Sequence, residues 1–227
     1  MCGRFTLTTR PDDLWARFGI DTGDLDITPK YNIAPTQDVL TVVNRGQVRA
    51  QMMRWGLIPF WAKDVKIGNR MINARAESVV EKSSFREVFQ RRRCLVVADG
   101  FYEWRKDGKL RIPMRVTLNS SEAFGFAGLW ETWKAPGGEL FRSCTIVTTV
   151  ANSLLAPVHD RMPVILSKEA EAQWLDTSIT DTAELRELLL PYPSSEMRLY
   201  RVSPVVNSPH VDTSDCISPV PSGRLAL

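Results

Sequence analysis

The residue with the most distinctive chemistry in this chain is Cys2, which directly follows the initiator methionine. If Met1 is removed, Cys2 carries a thiol and a free α-amine on adjacent carbons. An α-amine titrates near pH ~8 and a thiol near ~8.5, so both are partly nucleophilic at neutral pH. The amine can condense with an aldehyde to an imine, and the thiol can then close a five-membered thiazolidine ring. Cys2 is therefore a candidate aldehyde trap, although a small residue without a chemical role is the commoner case at such a position.

A first polar motif spans residues 72–77, where Asn73, Arg75 and Glu77 alternate with apolar residues. Alternation places the three side chains on one face of an extended strand. Taken alone, this pattern is most typical of a solvent-facing strand edge.

A second motif is Asp99-Gly100-Phe101-Tyr102-Glu103-Trp104, which follows an apolar run at 95–97. Burial between Tyr102 and Trp104 would raise the pKa of the Glu103 carboxyl toward a value useful in acid–base catalysis. An outward-facing glutamate on an antiparallel strand is an equally good interpretation.

A third motif, residues 158–163, contains His159, one of only two histidines, followed by Asp160 and Arg161. A histidine beside polar groups can relay protons near neutral pH. A structural, hydrogen-bonded histidine is the commoner outcome for such a residue.

Aromatic and basic residues adjoin at Phe60-Trp61, which precede Lys63 and Lys66. Aromatic rings can stack on unpaired bases while nearby cations contact phosphates. The pairing is a weak indication of single-stranded nucleic acid binding when taken alone.

The composition is that of a reduced intracellular protein. The formal net charge of +3 neither requires nor excludes a nucleic acid partner. The four cysteines form no CxxC pair and lie far from the histidines, so we expect no metal and no cofactor. No apolar leader and no run of eighteen apolar residues is present, which predicts a cytoplasmic protein without a membrane span.

The elements that must position these motifs are mostly strands. Apolar alternation and turn residues predict strands at 38–44, 47–55, 71–76, 94–98, 101–105, 110–118, 124–132, 141–150, 162–166 and 199–202. Short helices are expected after Thr9 as an N-cap, from Ser83 or Ser84 to residue 90, and at 168–175 and 182–189. The pattern indicates one α+β domain built on a curled, mainly antiparallel, barrel-like sheet with short peripheral helices. Prolines after Ser203 predict an extended tail.

Six short motifs together resemble the SRAP (SOS-response-associated peptidase) family of abasic site processing proteins. The matching segments, in family order, are 1–5, 31–35, 54–59, 72–77, 99–104 and 159–163. The resemblance covers residues 2–206, which we expect to form the SRAP domain, with 207–227 as the extended C-terminal tail.

The resemblance implies that the chain binds single-stranded DNA and captures the ring-opened aldehyde of an abasic site as a thiazolidine on Cys2, shielding the lesion. Catalytic roles would fall to Asn73, holding the ring-opened sugar near the Cys2 amine, to Glu103 as general acid–base, and to His159 in proton transfer and crosslink reversal. Arg4, Arg75 and Arg161 would bind phosphates. Phe60 and Trp61 would wedge against bases beside the lesion, where the family often has Trp-Trp.

Several alternatives stay open from the sequence. Family members are proposed to remove their own Met1, whereas an ordinary methionine aminopeptidase would also do so. Whether a lyase activity at the abasic site accompanies capture is also left open. The chain could instead be an N-terminal-nucleophile cysteine amidohydrolase or a non-catalytic module for single-stranded DNA. We expect a monomer, associated with the nucleoid if the source is bacterial.

Overall fold

The body of the molecule consists of two β-sheets, seen in a computed structural model that describes residues 2–20 and 25–220. Met1 and residues 221–227 of the expected tail lie outside the described part. The twelve strands are β1 (Phe5–Leu7), β2 (Lys30–Ile33), β3 (Asp38–Asn44), β4 (Val48–Trp55), β5 (Asn73–Arg75), β6 (Arg93–Ala98), β7 (Gly100–Asp107), β8 (Leu110–Leu118), β9 (Phe124–Lys134), β10 (Leu140–Val150), β11 (Arg161–Pro163) and β12 (Met197–Arg201).

One sheet closes on itself. Its strands run in the order β11-β10-β4-β3-β6-β9, and β9 pairs again with β10, which closes a five-stranded barrel. The second sheet has the order β12-β8-β7-β1-β2 and packs against the barrel. Most pairings are antiparallel, while β10 pairs in parallel with β4 and β5. The predicted α+β class and the barrel-like, curled sheet are confirmed.

The helices are short and peripheral, as expected. They are α1 (Pro11–Phe18), α2 (Ser83–Arg91), α3 (Lys168–Leu175) and α4 (Thr182–Glu187), with 3₁₀ turns at Val65–Arg70, Ser194–Glu196, Pro204–Asn207 and Ser214–Cys216. Asp181 caps α4, its carboxylate accepting from the Ala183 N–H at 2.8 Å. None of the helices in the described ranges is long and apolar enough to cross a bilayer.

The first strand is anchored in the core by its aromatic side chain. Phe5 is fully buried, and its ring lies 5.1 Å from that of Trp55 and 5.9 Å from that of Phe126 in edge-to-face contacts. Such aromatic pairs add to the free energy of burying the rings themselves. The residues just before Phe5, including Cys2, are thereby fixed at the junction of the two sheets.

A buried carboxylate fixes the other end of β1. Asp99 accepts hydrogen bonds from Thr6, Thr8 and Thr9 and lies 3.3 Å from the Arg115 guanidinium. Thr9 was expected to cap α1, but the N-cap is Arg10, which makes no side-chain cap. The expectation was wrong because the Thr9 hydroxyl contacts Asp99 instead, a tertiary partner that local sequence does not reveal.

The segment after Ser203 differs from the predicted extended tail. Its described part, up to residue 220, forms two 3₁₀ turns and buries Cys216 completely. Proline-rich backbone leaves carbonyl groups without sheet or helix partners, and side chains from the N-terminal half bind them. Arg4 donates to the Val206 carbonyl at 2.8 Å, and the Asn32 amide donates to those of Ser208 and Val211 at 2.9 and 2.7 Å.

Candidate active site at the N-terminal strand

Cys2 lies in the main core, with a side chain that is 0% exposed. Its backbone carbonyl accepts a hydrogen bond of 2.8 Å from the Nδ2 of Asn73. Asn73 is held in β5, where it pairs with Ile146 of β10. The Oδ1 of Asn73 is also buried and has no hydrogen-bond partner among the described residues, so the amide has one acceptor to spare beside Cys2.

Glu103 reaches the same place from β7. This strand runs antiparallel to β1, with Phe101 opposite Phe5, and the Tyr102 N–H donates to the Arg4 carbonyl at 3.0 Å. Glu103 is only 3% exposed, and burial raises the pKa of its carboxyl from 4.5 to about 7. The pKa of the Cys2 thiol is raised too, first by burial and then by the Glu103 charge. The two side chains are therefore close enough to influence each other's protonation.

His159 shares an open cleft with Glu103. The cleft has a volume of about 430 Å³ and is lined by Glu103, Trp104, Arg111, His159 and Asn207. Burial lowers the pKa of His159, which favours the neutral imidazole at pH 7. The Arg161 N–H donates to Nδ1 at 2.9 Å, so the proton of the neutral ring is on Nε2. Protonation would let Nδ1 donate instead to Asp160, whose Oδ1 is 2.9 Å away.

The three arginines expected to bind phosphate have different surroundings. Arg75 is exposed at the end of β5. Arg161 forms a two-point ion pair with Glu77, at 2.7 and 2.9 Å, and donates to the Thr148 carbonyl. Arg4 donates to Asn32 and to two carbonyls of the 203–220 segment. A phosphate would meet Arg75 directly, whereas at Arg161 it would compete with the Glu77 carboxylate.

Phe60 and Trp61 are both strongly exposed, at 62% and 49%. Their loop is anchored by a 2.7 Å hydrogen bond from the Trp133 indole to the Ala62 carbonyl. Phe60 also lines a second cleft, of about 390 Å³, with the side chains of Arg45, Glu87, Arg92, Trp130, Glu131 and Thr132. Two solvent-exposed aromatic rings on an anchored loop are suited to stacking on a planar ligand such as a nucleobase.

The cleft that contains Glu103 and His159 also contains residues to which sequence reasoning gave no role. Trp104 lies inside a noted motif, and its indole donates to the Asn207 side chain at 2.7 Å. Asn207 comes from the segment expected to be extended, and Arg111 from the neighbouring strand β8, and neither carried a sequence signal. Within residues 2–20 and 25–220, no three side chains of metal-ligating type form a group that could hold an ion.

The arrangement suits acid–base chemistry at the Cys2 nitrogen and sulfur. A carboxyl group with a pKa near 7 can give or take a proton at neutral pH. An amide with one free acceptor could orient an amine or a hydroxyl. These groups come from β5, from β7 and from the segment just before β1, and they converge only in the folded chain.

Comparison with known proteins connects this geometry to a family. The chain is 49% identical over 221 residues to the abasic site processing protein YoqW of Bacillus subtilis (strain 168), covering 96% of this chain and 99% of that protein. It is 30% identical over 267 aligned positions to the abasic site processing protein HMCES of Xenopus tropicalis, covering 97% and 78%. A crystal structure of a protein from Bacteroides thetaiotaomicron superposes with a TM-score of 0.88 at 28% identity, covering 96% of this chain and 100% of that one.

The family model described as SOS response associated peptidase (SRAP) matches residues 1–209, a range that includes Cys2, Asn73, Glu103 and His159. The match spans nearly the whole described fold, and the relatives align over almost the full length of this chain. The chain belongs to the SOS response associated peptidase family.

Proposed function

We propose that this protein processes abasic sites in single-stranded DNA by capturing the ring-opened sugar covalently on Cys2. The observation that carries the proposal is the convergence at the N-terminus, where Asn73 holds the Cys2 carbonyl at 2.8 Å and Glu103 has a pKa near 7. The relatives named abasic site processing proteins support the same substrate. An abasic site offers the aldehyde that an N-terminal aminothiol can trap.

The reaction begins once Met1 is gone, because in the intact chain the Cys2 nitrogen is a non-nucleophilic amide. The free amine adds to C1′ of the open sugar to give a carbinolamine. Glu103, in its acid form, donates a proton to the departing hydroxyl, and the nitrogen lone pair forms the C=N bond as water leaves. The Cys2 sulfur then adds to the iminium carbon, the C=N electron pair returns to nitrogen, the thiol proton passes to the Glu103 carboxylate, and the thiazolidine closes. One water is lost overall.

The surrounding residues serve this sequence in distinct ways. Asn73 accepts from the Cys2 amine or a sugar hydroxyl through its unused Oδ1. His159 moves protons at the sugar oxygen and in reversal of the crosslink. Arg4, Arg75 and Arg161 bind phosphates, and Phe60 and Trp61 stack on the bases beside the lesion.

Removal of Met1 completes the site, by self-cleavage or by an ordinary methionine aminopeptidase. A β-elimination from the imine would give the associated lyase activity, and closure of the thiazolidine competes with it by consuming the imine. We place the activity in the DNA damage response, in the cytoplasm or at the nucleoid if the source is bacterial, and propose that a monomer carries it out.

The test is covalent capture on a denaturing gel. The protein, with loss of Met1 verified by intact mass, is mixed with single-stranded DNA that contains one abasic site. We expect a slow-migrating band with the wild type and with Cys216→Ser, which alters another fully buried thiol, and none with Cys2→Ser. Reversible affinity should be nearly the same in all three, since phosphate contacts dominate binding.

The other outcomes identify other functions. A band of equal intensity with Cys2→Ser would exclude the thiazolidine. Reversible binding without any band would indicate a non-catalytic DNA-binding module. Turnover of an amide substrate, lost in Cys2→Ser and without a DNA product, would indicate an N-terminal-nucleophile hydrolase.

A further inference from the structure

The hairpin that joins β7 to β8 concentrates positive charge at the edge of the Glu103 cleft. Its residues 105–111 contain four cations and one acid, a net charge of +3 that equals the formal net charge of the whole chain. The four cations are exposed: Arg105, Lys106, Lys109 and Arg111. The remaining 220 residues are together neutral, so this tip is a distinct electrostatic feature of the molecule.

The register of the hairpin places two of these cations side by side, which destabilises the strand pair. Lys106 lies directly opposite Arg111 across the antiparallel ladder, with Asp107 opposite Leu110. Like charges at directly opposed positions destabilise a strand pair. Among the hydrogen bonds and ion pairs of the described residues, none involves the side chains of these four cations, whereas Arg92 and Arg161 pair with Glu131 and Glu77.

The same cations adjoin the reacting groups. Arg111 lines the cleft of about 430 Å³ together with Glu103 and His159. The charge of Lys106 contributes to lowering the pKa of His159, which places the lysine within electrostatic range of the imidazole. An anion bound between Lys106 and Arg111 would relieve their repulsion and lie at the rim of the cleft that holds the open sugar.

We propose that Lys106 and Arg111 form a phosphate clamp that binds one of the two DNA phosphates flanking the abasic sugar. This inference rests on the proposed function for its substrate, and it assigns to the hairpin a role separate from Arg4, Arg75 and Arg161. The guanidinium of Arg111 supplies planar donors to the phosphate oxygens, and Lys106 adds a mobile point charge. The clamp fixes the distance of C1′ from Cys2 by holding the neighbouring backbone.

The first experiment measures reversible affinity in a Cys2→Ser background, where no crosslink forms. Lys106→Gln/Arg111→Gln is compared with Lys82→Gln/Arg91→Gln, which removes one exposed lysine and one exposed arginine at the two ends of α2. For single-stranded abasic DNA, we expect the hairpin variant to bind about tenfold more weakly. The slope of the logarithm of the binding constant against the logarithm of the salt concentration should be smaller in magnitude by about 0.7 for each phosphate that the variant no longer neutralises. The α2 variant should stay within about twofold. Equal affinities and slopes for the two double variants would overturn the clamp.

A second measurement locates the phosphate. Oligonucleotides carry one uncharged methylphosphonate linkage, either 5′ or 3′ of the abasic site. With the linkage at one of these two positions, the hairpin variant should bind the oligonucleotide as tightly as the parent protein does, because the phosphate charge that the clamp recognises is already absent from the DNA. Additive losses at both positions would refute contact with a flanking phosphate.

Stability separates binding from misfolding. Because the substitutions remove a like-charge pair, the melting temperature of the hairpin variant should be unchanged or higher. A clear decrease in melting temperature would show that Lys106 and Arg111 stabilise the hairpin and would contradict the inference. If the wild type binds but forms no covalent product, the proposed function fails, while the reversible-binding result still decides the clamp.

Discussion

Replacement of Glu103 by glutamine removes one acid from the cleft while keeping the size and hydrogen-bonding capacity of the side chain. Burial places the pKa of Glu103 at about 7, and the α-amine of Cys2 should titrate near ~8. In the proposed mechanism, capture requires the carboxyl group protonated and the amine neutral. The wild-type rate should therefore rise up to pH ~7, be highest near pH ~7.5 and fall above pH ~8.

The magnitude follows from these values. At pH ~7.5 about a quarter of each group is in the required form, so about 6% of the molecules are competent. Glu103→Gln cannot donate a proton, and loss of a general acid typically lowers a rate by about 10² to 10⁴. The variant should also lose the decline above pH ~8, because glutamine does not titrate and only the amine limb remains.

Glu103→Gln should slow the reaction but increase the stability of the folded protein above neutral pH. Since folding raises the carboxyl pKa from 4.5 to about 7, the folded state loses stability as pH rises between these values. The loss is at most about 3 kcal/mol, at 1.36 kcal/mol per pKa unit. Glu103→Gln has no such penalty, so it should unfold at a higher denaturant concentration than the wild type at pH 8 and show little difference at pH 4.

The assay is single-turnover crosslinking to abasic single-stranded DNA, quenched at intervals from pH 5.5 to 9.5 and read on denaturing gels. Urea unfolding of the same preparations supplies the control. A wild-type rate in Glu103→Gln, or a decline above pH ~8 that persists in the variant, would refute the assignment of Glu103 as the acid. A slow variant that is also less stable at pH 8 would refute the burial argument.

Three further predictions concern particular side chains. Asn73→Ala deletes the 2.8 Å bond to the Cys2 carbonyl and should slow single-turnover crosslinking by about 10- to 100-fold, since small misplacements of reacting groups are costly; an unchanged rate would remove Asn73 from the mechanism. Asp99→Ala leaves the buried Arg115 guanidinium without its carboxylate partner and should lower the free energy of unfolding by about 3–5 kcal/mol. Calorimetry should show a melting temperature lower by about 6–20 °C, and a decrease of under 2 °C would show that the carboxylate is dispensable. Trp61→Ala should weaken single-stranded DNA binding by about 5- to 150-fold in fluorescence anisotropy, whereas the comparably exposed Trp15→Ala on α1 should not, and equal losses would rule out base stacking by Trp61.

The strand and helix pattern could be predicted closely from local sequence. β3 and β8 begin and end at the predicted residues, as does α3. These elements are bounded by turn residues or an N-cap, and the spacing of their apolar residues fits either the strand period or the helix period but not both. Elements whose ends depend on distant partners were predicted less well, as the Thr9–Asp99 contact and the folded 203–220 segment show.

The candidate site divides in the same way. The motifs around Asn73, Glu103 and His159 could be selected from the sequence as polar interruptions of apolar runs, and the family resemblance gave them roles. Arg111 and Asn207 could not, because a surface arginine and an asparagine in a proline-rich segment are ordinary locally. They become part of the cleft only because β8 pairs with β7 and the C-terminal segment folds back over β1 and β2.

The sequence by itself determined what Cys2 could do once Met1 is removed. An amine and a thiol on adjacent carbons are a covalent property of an N-terminal cysteine, and no fold is needed to create it. Tertiary structure alone decided which groups surround Cys2 and in which protonation state. Asn73 lies 71 residues away along the chain and reaches the Cys2 carbonyl only because β5 pairs with the barrel strand β10. The pKa of Glu103 is near 7 because packing removes its carboxyl from water, and burial of that kind belongs to the assembled sheets.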